Sequence, residues 1–292
     1  MLPARFDYHR PGTLDEAVSA LAEYGDDGKV LAGGMSLIPL MKLRFAVPGH
    51  LVDLNAVPGL TGVSEDGGTL RVGALTRHAE LEDNDLLKAK YHAMAAAAPQ
   101  ISDPLVRNRG TIGGSLAHAD PAGDWGSVMI AIRAKVAAKS ASGEREIDVD
   151  DLLVDTFTSS LEPTEVLTEI RIPSPSGPSG GAYLKLERKV GDFATVAVAV
   201  YVEMSNGNIG TAGIGLTAVG STNIRAADAE RALAGAEPSA DAFANAGKLA
   251  AAASNPVADQ RGSAEYKRNV VDVFVQRGLA QAVEIARSGG RA

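Results

Sequence analysis

The sequence predicts an α+β chain: two N-terminal α/β subdomains, then a C-terminal domain of a three-stranded antiparallel sheet with a helical bundle. Three observations predict it. Helix and strand spacings alternate from the N-terminus to Pro58-Gly59. A run of Pro, Ser and Gly at 173–181 interrupts the chain. Beyond it, Asn206-Gly207 joins two strand patterns, and Ala-rich helical stretches follow. The segments are therefore 1–58, 59–177 and 178–292.

In the first segment, Thr13-Leu14-Asp15-Glu16 has capping-box spacing. Leu14, Ala17, Val18 and Leu21 then share one helical face until Gly25. A strand over 29–32 runs into Gly33-Gly34. Ser36 is placed to cap a helix over 37–44, with Pro39 tolerated in its first turn, and 51–54 reads as a strand. In the second segment, 69–74, 136–138 and 166–172 read as strands. Thr76 is placed to cap a short helix, and 91–98 and 125–134 read as helices. The 173–181 run has the composition of a linker or long turn. In the third segment, strands over 182–188, 195–204 and 209–219 precede helices over 226–233, 239–253 and 263–286.

The chain has 292 residues, a formal net charge of -8 and no cysteine. The acidic balance argues against nucleic acid as a partner. Without Cys there is no disulfide, no Cys-ligated iron–sulfur cluster and no thiolate nucleophile. The 5 His residues show no HxH or HExxH spacing, which argues against a metal site. The first ten residues have no apolar run after their positive charges, and no stretch of about 18 apolar residues free of charge occurs. A cytoplasmic location is expected.

Two glycine loops carry the chemistry. Ala32-Gly33-Gly34-Met35-Ser36 is strand, double glycine, helix. Glycine lets backbone approach a ligand, and the free amides of a helix start suit an anion. Taken alone, the motif reads first as a tight strand-to-helix turn, since double glycines are common. Gly110-Thr111-Ile112-Gly113-Gly114-Ser115 repeats the logic, with hydroxyls from Thr111 and Ser115 and with Arg107 and Arg109 just before it. A Cβ branch at Gly33 or Gly113 is expected to intrude on a bound phosphate. Downstream, Asp120-Pro121 is a turn initiator, and Asp124 can cap the next helix or accept hydrogen bonds from a ligand. Two such loops suggest two adjacent phosphates, as in a dinucleotide. Neither is a GxGxxG or a Walker A loop, which disfavours a nicotinamide Rossmann fold and a P-loop NTPase.

These motifs resemble the FAD-binding medium subunits of the molybdenum hydroxylases. Ala32-Gly33-Gly34-x-Ser36-Leu37 with Pro39, Met41-Lys42 and Arg44 resembles the first FAD loop of that family. Thr111-Ile112-Gly113-Gly114, with Asp120-Pro121 and Asp124, resembles the second. Phe6-x-Tyr8-x-Arg10-Pro11, Lys185-x-x-Arg188-x-x-Gly191-Asp192-Phe193-Ala194 and Arg261-Gly262-x-Ala264-x-Tyr266-Lys267 also match, so the resemblance runs the length of the chain.

It implies a PCMH-type FAD-binding fold with the pyrophosphate between the two loops. It implies flavin-binding roles for Asp124 and for apolar Ile101 and Leu161. Lys185 would lie near the ring, where its charge would stabilise reduced flavin. Asp192 and Phe193 would sit on a mobile loop at the isoalloxazine. His118 would touch the cofactor or lie on a surface loop. Many members of that family carry His or Gln at the position of Met35, some carry Asn at those of Ser115 and His118, and some carry Tyr at that of Phe193.

The resemblance further implies noncovalent FAD in this chain, with no acid–base chemistry on substrate. The molybdenum cofactor would sit on a large partner subunit and two 2Fe-2S clusters on a small one. The assembly would be a dimer of heterotrimers, cytoplasmic or held at the inner face of the membrane. The final acceptor would be a quinone, NAD, oxygen or a protein. The N-terminal segment looks most like the carbon monoxide dehydrogenase branch, with N-heterocycle and aldehyde hydroxylases as alternatives. A stand-alone flavin oxidoreductase and a scaffold that has lost FAD are the rival readings.

Overall fold

The structure, a computed structural model, describes residues 2–289. The first unit contains β1 (Asp7–His9), α1 (Leu14–Tyr24), β2 (Gly28–Leu31), α2 (Leu37–Leu43) and β3 (His50–Asp53). Its strands form a parallel sheet in the order β1-β3-β2. The capping box holds: the Glu16 amide donates to Thr13 Oγ1, and the Thr13 amide donates to the Glu16 carboxylate. Ala17, Val18 and Leu21 pack with Val52, Leu54 and Val57 into a small core. Strand β1 was not expected, because three residues are too few to show an alternating pattern and only pairing with β3 creates it. Ser36 makes no cap bond. Its backbone is already helical, at φ -102° and ψ -48°, whereas a capping side chain needs an extended backbone to reach back to the first-turn amides.

The second unit contains β4 (Val63–Asp66), β5 (Thr69–Gly73), α3 (His78–Glu82), α4 (Asp85–Lys90), α5 (His92–Ala97), α6 (Pro104–Arg107), α7 (Ile112–His118) and α8 (Asp124–Ala131). It continues through β6 (Lys135–Ser140), β7 (Gly143–Asp148), α9 (Val149–Leu152), β8 (Leu153–Asp155), β9 (Thr158–Ser159) and β10 (Val166–Pro173). The main sheet is antiparallel, in the order β4-β5-β10-β6-β7. Its edge strands β4 and β7 are almost wholly exposed, so no apolar alternation marks them in the sequence. Thr76 is not a helix cap. Arg77 takes that position, and the Thr76 hydroxyl bonds the backbone of Gly62 instead.

The third unit contains β11 (Ser179–Leu186), β12 (Val196–Ser205), β13 (Asn208–Thr217), β14 (Ile224–Arg225), α10 (Ala227–Leu233), α11 (Ala240–Ala253) and α12 (Ala264–Arg287). The sheet has four antiparallel strands, β11-β12-β13-β14, where three were expected. The fourth is two residues long and too short to read. Asn206 and Gly207 turn the β12–β13 hairpin with φ of 50° and 86°, as a tight primed turn requires.

The 173–181 run is not all linker, because Ser179, Gly180 and Gly181 open β11. A Cβ on Gly180 would stand 1.9 Å from the Ala282 carbonyl of α12, and one on Gly181 would stand 2.8 Å from the Ala93 amide of α5. These glycines seat a helix on each face of the strand. On β13, a Cβ on Gly213 or Gly215 would stand 1.8 or 2.0 Å from the carbonyls of Ala131 and Ser127, so α8 lies directly on the sheet. One face of this sheet packs Val196, Val198, Val200 and Val202 against the C-terminal helices. From the other face, Tyr183, Ala197 and Ala199 join the core of the second unit. No helix among the described residues is long and apolar enough to cross a membrane.

Candidate functional site

The two glycine loops touch. The first leaves β2 at Leu31 and enters α2, and Gly34 takes a left-handed φ of 78° to make the turn. The second enters α7, with Thr111 as a true N-cap whose hydroxyl accepts from the Gly114 amide. A Cβ on Gly33 would stand 2.2 Å from the Arg109 carbonyl oxygen. A Cβ on Gly114 would lie 3.6 Å from that of Ala32. The expected ligand-facing role of the glycine side fails in both loops. Gly33 is bare because the Arg109–Gly110 backbone is there, and Gly113 is bare because Ala74 is, 2.6 Å from where its Cβ would stand. A branched residue at either position meets protein before it meets phosphate.

The loops also differ in what they offer an anion. The amides of Gly34, Met35 and Ser36 find no acceptor among the described residues, and Met35 and Ser36 are exposed. The amides of Ile112, Gly113, Gly114 and Ser115 are all used, donating to Thr76 O, Ala74 O, Thr111 Oγ1 and Thr111 O. The second loop is thus a braced support, and the first carries the open donors. Arg107 is unavailable too, because its guanidinium bonds Glu82 and the carbonyls of Ile101 and Ser102. Arg109 is exposed and makes no side-chain bond among the described residues.

A network absent from the sequence reading ties the loops together. Arg77 donates to the Arg109 carbonyl and to Asn55 Oδ1. Asn55 Nδ2 donates to the Ala32 carbonyl at 2.9 Å and to Asp53, which also accepts from the Tyr8 hydroxyl. The Asp53-x-Asn55 spacing is the one available signal, an Asx turn in which the Asn55 amide bonds Asp53. Nothing in the sequence marks Arg77. Beneath the second loop, His78 accepts from Trp125 Nε1 at 3.0 Å. Burial, with Arg77 and Arg107 nearby, pushes its imidazole down to about 4.

Asp124, Lys185 and Ile101 come together in a second cluster. Gly123 holds the cap position of α8, so Asp124 is not its cap. Instead the Asp124 carboxylate accepts from the Tyr183 hydroxyl and lies 3.1 Å from Lys185 Nζ. Lys185 is buried, its side chain 1% exposed. It donates to the Gln100 carbonyl next to Ile101 and stands 3.6 Å from Glu187. Burial pushes the Asp124 carboxyl up against the pull of Lys185, and burial beside Asp124 pushes the Tyr183 hydroxyl far up. With two carboxylates around it, the ammonium's field on any neighbour is largely offset. Glu187 Oε2 is buried with no hydrogen-bond partner.

The loop at 188–193 lies against the same cluster, with Gly191 at the Ser102 carbonyl. Asp192 is committed to Arg188 and Arg261, and Arg188 holds its carboxyl below the ordinary range. Arg261 also donates to the Phe193 and Ala194 carbonyls. Phe193 is 54% exposed and Ile101 9%. Leu161 packs partly buried against the core of the second unit. His118 ends α7 and packs its ring on Phe157, with centroids 5.0 Å apart. Asp120 accepts from the Ala122 amide in a tight turn.

Residues 4–175 match the family model described as the FAD binding domain in molybdopterin dehydrogenase, and residues 181–282 match the CO dehydrogenase flavoprotein C-terminal domain. The chain belongs to the FAD-binding medium subunits of the molybdopterin dehydrogenase family. This medium subunit is thus the flavoprotein part of a molybdenum-containing oxidoreductase complex. It is 40% identical to the carbon monoxide dehydrogenase medium chain of Hydrogenophaga pseudoflava, over 97% of this chain and 98% of that one. It is also 40% identical to the 6-hydroxypseudooxynicotine dehydrogenase complex subunit alpha of Paenarthrobacter nicotinovorans, over 98% and 97%. Among solved structures, the carbon monoxide dehydrogenase of Hydrogenophaga pseudoflava superposes with a TM-score of 0.94 at 42% identity, covering 97% of this medium subunit and 99% of that chain.

Proposed function

We propose that this medium subunit holds FAD noncovalently, accepts electrons from the 2Fe-2S clusters of a partner subunit, and passes them to an external acceptor within a carbon monoxide dehydrogenase. The observation that carries the reading is the joined pair of glycine loops, with open amides on the first. The donor set fits a pyrophosphate. The amides of Gly34, Met35 and Ser36 and the Ser36 hydroxyl would take phosphate oxygens. Thr111, Gly113, Gly114 and Ser115 would hold that loop in place from below. Ile101 and Leu161 would wall the ring and exclude water, with Lys185 and Asp124 at its polar edge. Arg261 would hold Phe193 over the opening. The bound flavin supplies the exchange between one-electron carriers and a two-electron acceptor.

The reading extends to a PCMH-type fold divided at 58 and 177. It also extends to a cytoplasmic complex, a dimer of heterotrimers with a large molybdenum-cofactor subunit and a small 2Fe-2S subunit. The acceptor is a quinone, NAD, oxygen or a protein. Equal identity to the nicotine-derivative enzyme subunit supports a second reading, an N-heterocycle hydroxylase. Purifying the chain from its native host with its co-purifying subunits tests both. Flavin absorption that is released on denaturation is expected, and bleaching by carbon monoxide separates the first substrate from N-heterocycles. A colourless complex that takes up no FAD overturns the reading.

A further inference from the structure

We propose that Arg77, acting through Asn55, is a positioning residue that sets the spacing of the two glycine loops and so pre-forms the cradle for a diphosphate-bearing cofactor. The inference rests on the FAD reading above. Arg77 is stitched to the second loop by its backbone: it forms an isolated antiparallel bridge with Thr111, flanked by His78 N to Gly110 O and Ile112 N to Thr76 O, both 3.1 Å. Its side chain then reaches back. One guanidinium nitrogen donates to the Arg109 carbonyl, the same oxygen against which Gly33 packs. The other donates to Asn55 Oδ1, and the Asn55 amide nitrogen donates to the Ala32 carbonyl at the root of the first loop.

The path from loop to loop is therefore Ala32 carbonyl, Asn55 amide, Arg77 guanidinium, Arg109 carbonyl. Both side-chain groups are planar, and their forks fix direction as well as distance. Asn55 is itself held, because Asp53 accepts from its backbone amide at 2.9 Å and from its side chain, and Tyr8 binds the other Asp53 oxygen. The first loop's amides have no acceptor among the described residues, and α2 holds only the loop's own carbonyls, through Ile38 N to Gly34 O at 3.0 Å and Leu40 N to Ser36 O at 3.1 Å. The distance from that loop to the second is set by the strut behind it.

The test uses the full chain with its co-purifying subunits, stripped of FAD and titrated with FAD. Arg77→Met and Asn55→Leu should each weaken FAD binding about tenfold or more, the scale of a charge-assisted hydrogen bond. Because both belong to one strut, the double variant should lose little more than the worse single one. Arg77→Lys keeps a donor and should recover part of the affinity, and hydrogen exchange at Ile112, Gly113 and Gly114 in the FAD-free protein should quicken in Arg77→Met. Wild-type affinity in Arg77→Met, or losses that simply add, overturns the strut while wild-type binding leaves the FAD reading intact. A wild-type complex that binds no FAD overturns both.

Discussion

The α-carbon of Gly33 faces the carbonyl oxygen of Arg109 so closely that a Cβ would stand 2.2 Å from it. The two loops that read as separate ligand grips are thus one joined structure, and glycine is needed where backbone meets backbone. Gly33→Val should force the loops apart, with a loss of about 1–3 kcal/mol typical of overpacking and with loss of FAD. Gly113→Val should lose stability in the same way by striking Ala74. Urea unfolding of the FAD-free protein checks this. Unchanged midpoints in both would show that the backbone at these two contacts gives way freely.

Lys185 faces two carboxylates from inside the protein. Removing its charge leaves Asp124 buried without a counter-ion, which costs about 3–5 kcal/mol when one partner of a buried pair is deleted. Lys185→Met should therefore be strongly destabilised in urea, and Asp124→Asn in the same chain should restore much of the loss. A lowered flavin potential in Lys185→Met is also expected, but a small one, since Asp124 and Glu187 already offset the ammonium. If the double variant is no more stable than Lys185→Met, the pair is not the source of the loss.

His78 gives the fold a pH dependence. Its folded value near 4 lies below the ordinary 6.5, so the unfolded chain takes up the proton first. The stability is fully present above about pH 6.5 and is lost as pH falls toward 4, by on the order of 3 kcal/mol. Urea midpoints at neutral pH and near pH 4.5 measure it. His78→Gln, which can still accept from Trp125, should flatten the decline, and an equally steep decline would assign it to other groups.

Gly215 seats α8 on the third sheet, with the Ser127 carbonyl 2.0 Å from where its Cβ would stand. Ser127 in turn accepts from Thr217 at 2.6 Å. Gly215→Ala should lift the helix that carries Asp124, costing about 1–3 kcal/mol. A thermal melt reads the loss, and an unshifted melting temperature would mean that the helix does not rest on the strand in this way.

Local signals were legible wherever a residue's role is played out near it in the chain. The Thr13–Glu16 box and the Asn206-Gly207 turn sit where the spacing put them, and the helical stretches read over 239–253 and 263–286 form α11 and α12. The exposed edge strands β4 and β7 and the two-residue β14 carry no periodicity, so only their partners make them strands.

By itself the sequence determined the α+β alternation, the two glycine loops, and the family that their motifs and the late Gly191-Asp192-Phe193-Ala194 segment identify. Tertiary structure alone decided what each of those residues touches. It turned Gly33 and Gly113 toward protein, spent the second loop's amides on Thr76, Ala74 and Thr111, and closed Lys185 onto Asp124 across 61 positions of chain. It also supplied Arg77, which spans 22 positions to Asn55 and 32 to Arg109. The physical reason is range. Propensity, capping and turn chemistry act within a few residues, whereas burial, ion pairing and close backbone approach depend on which distant segments the folded chain brings together.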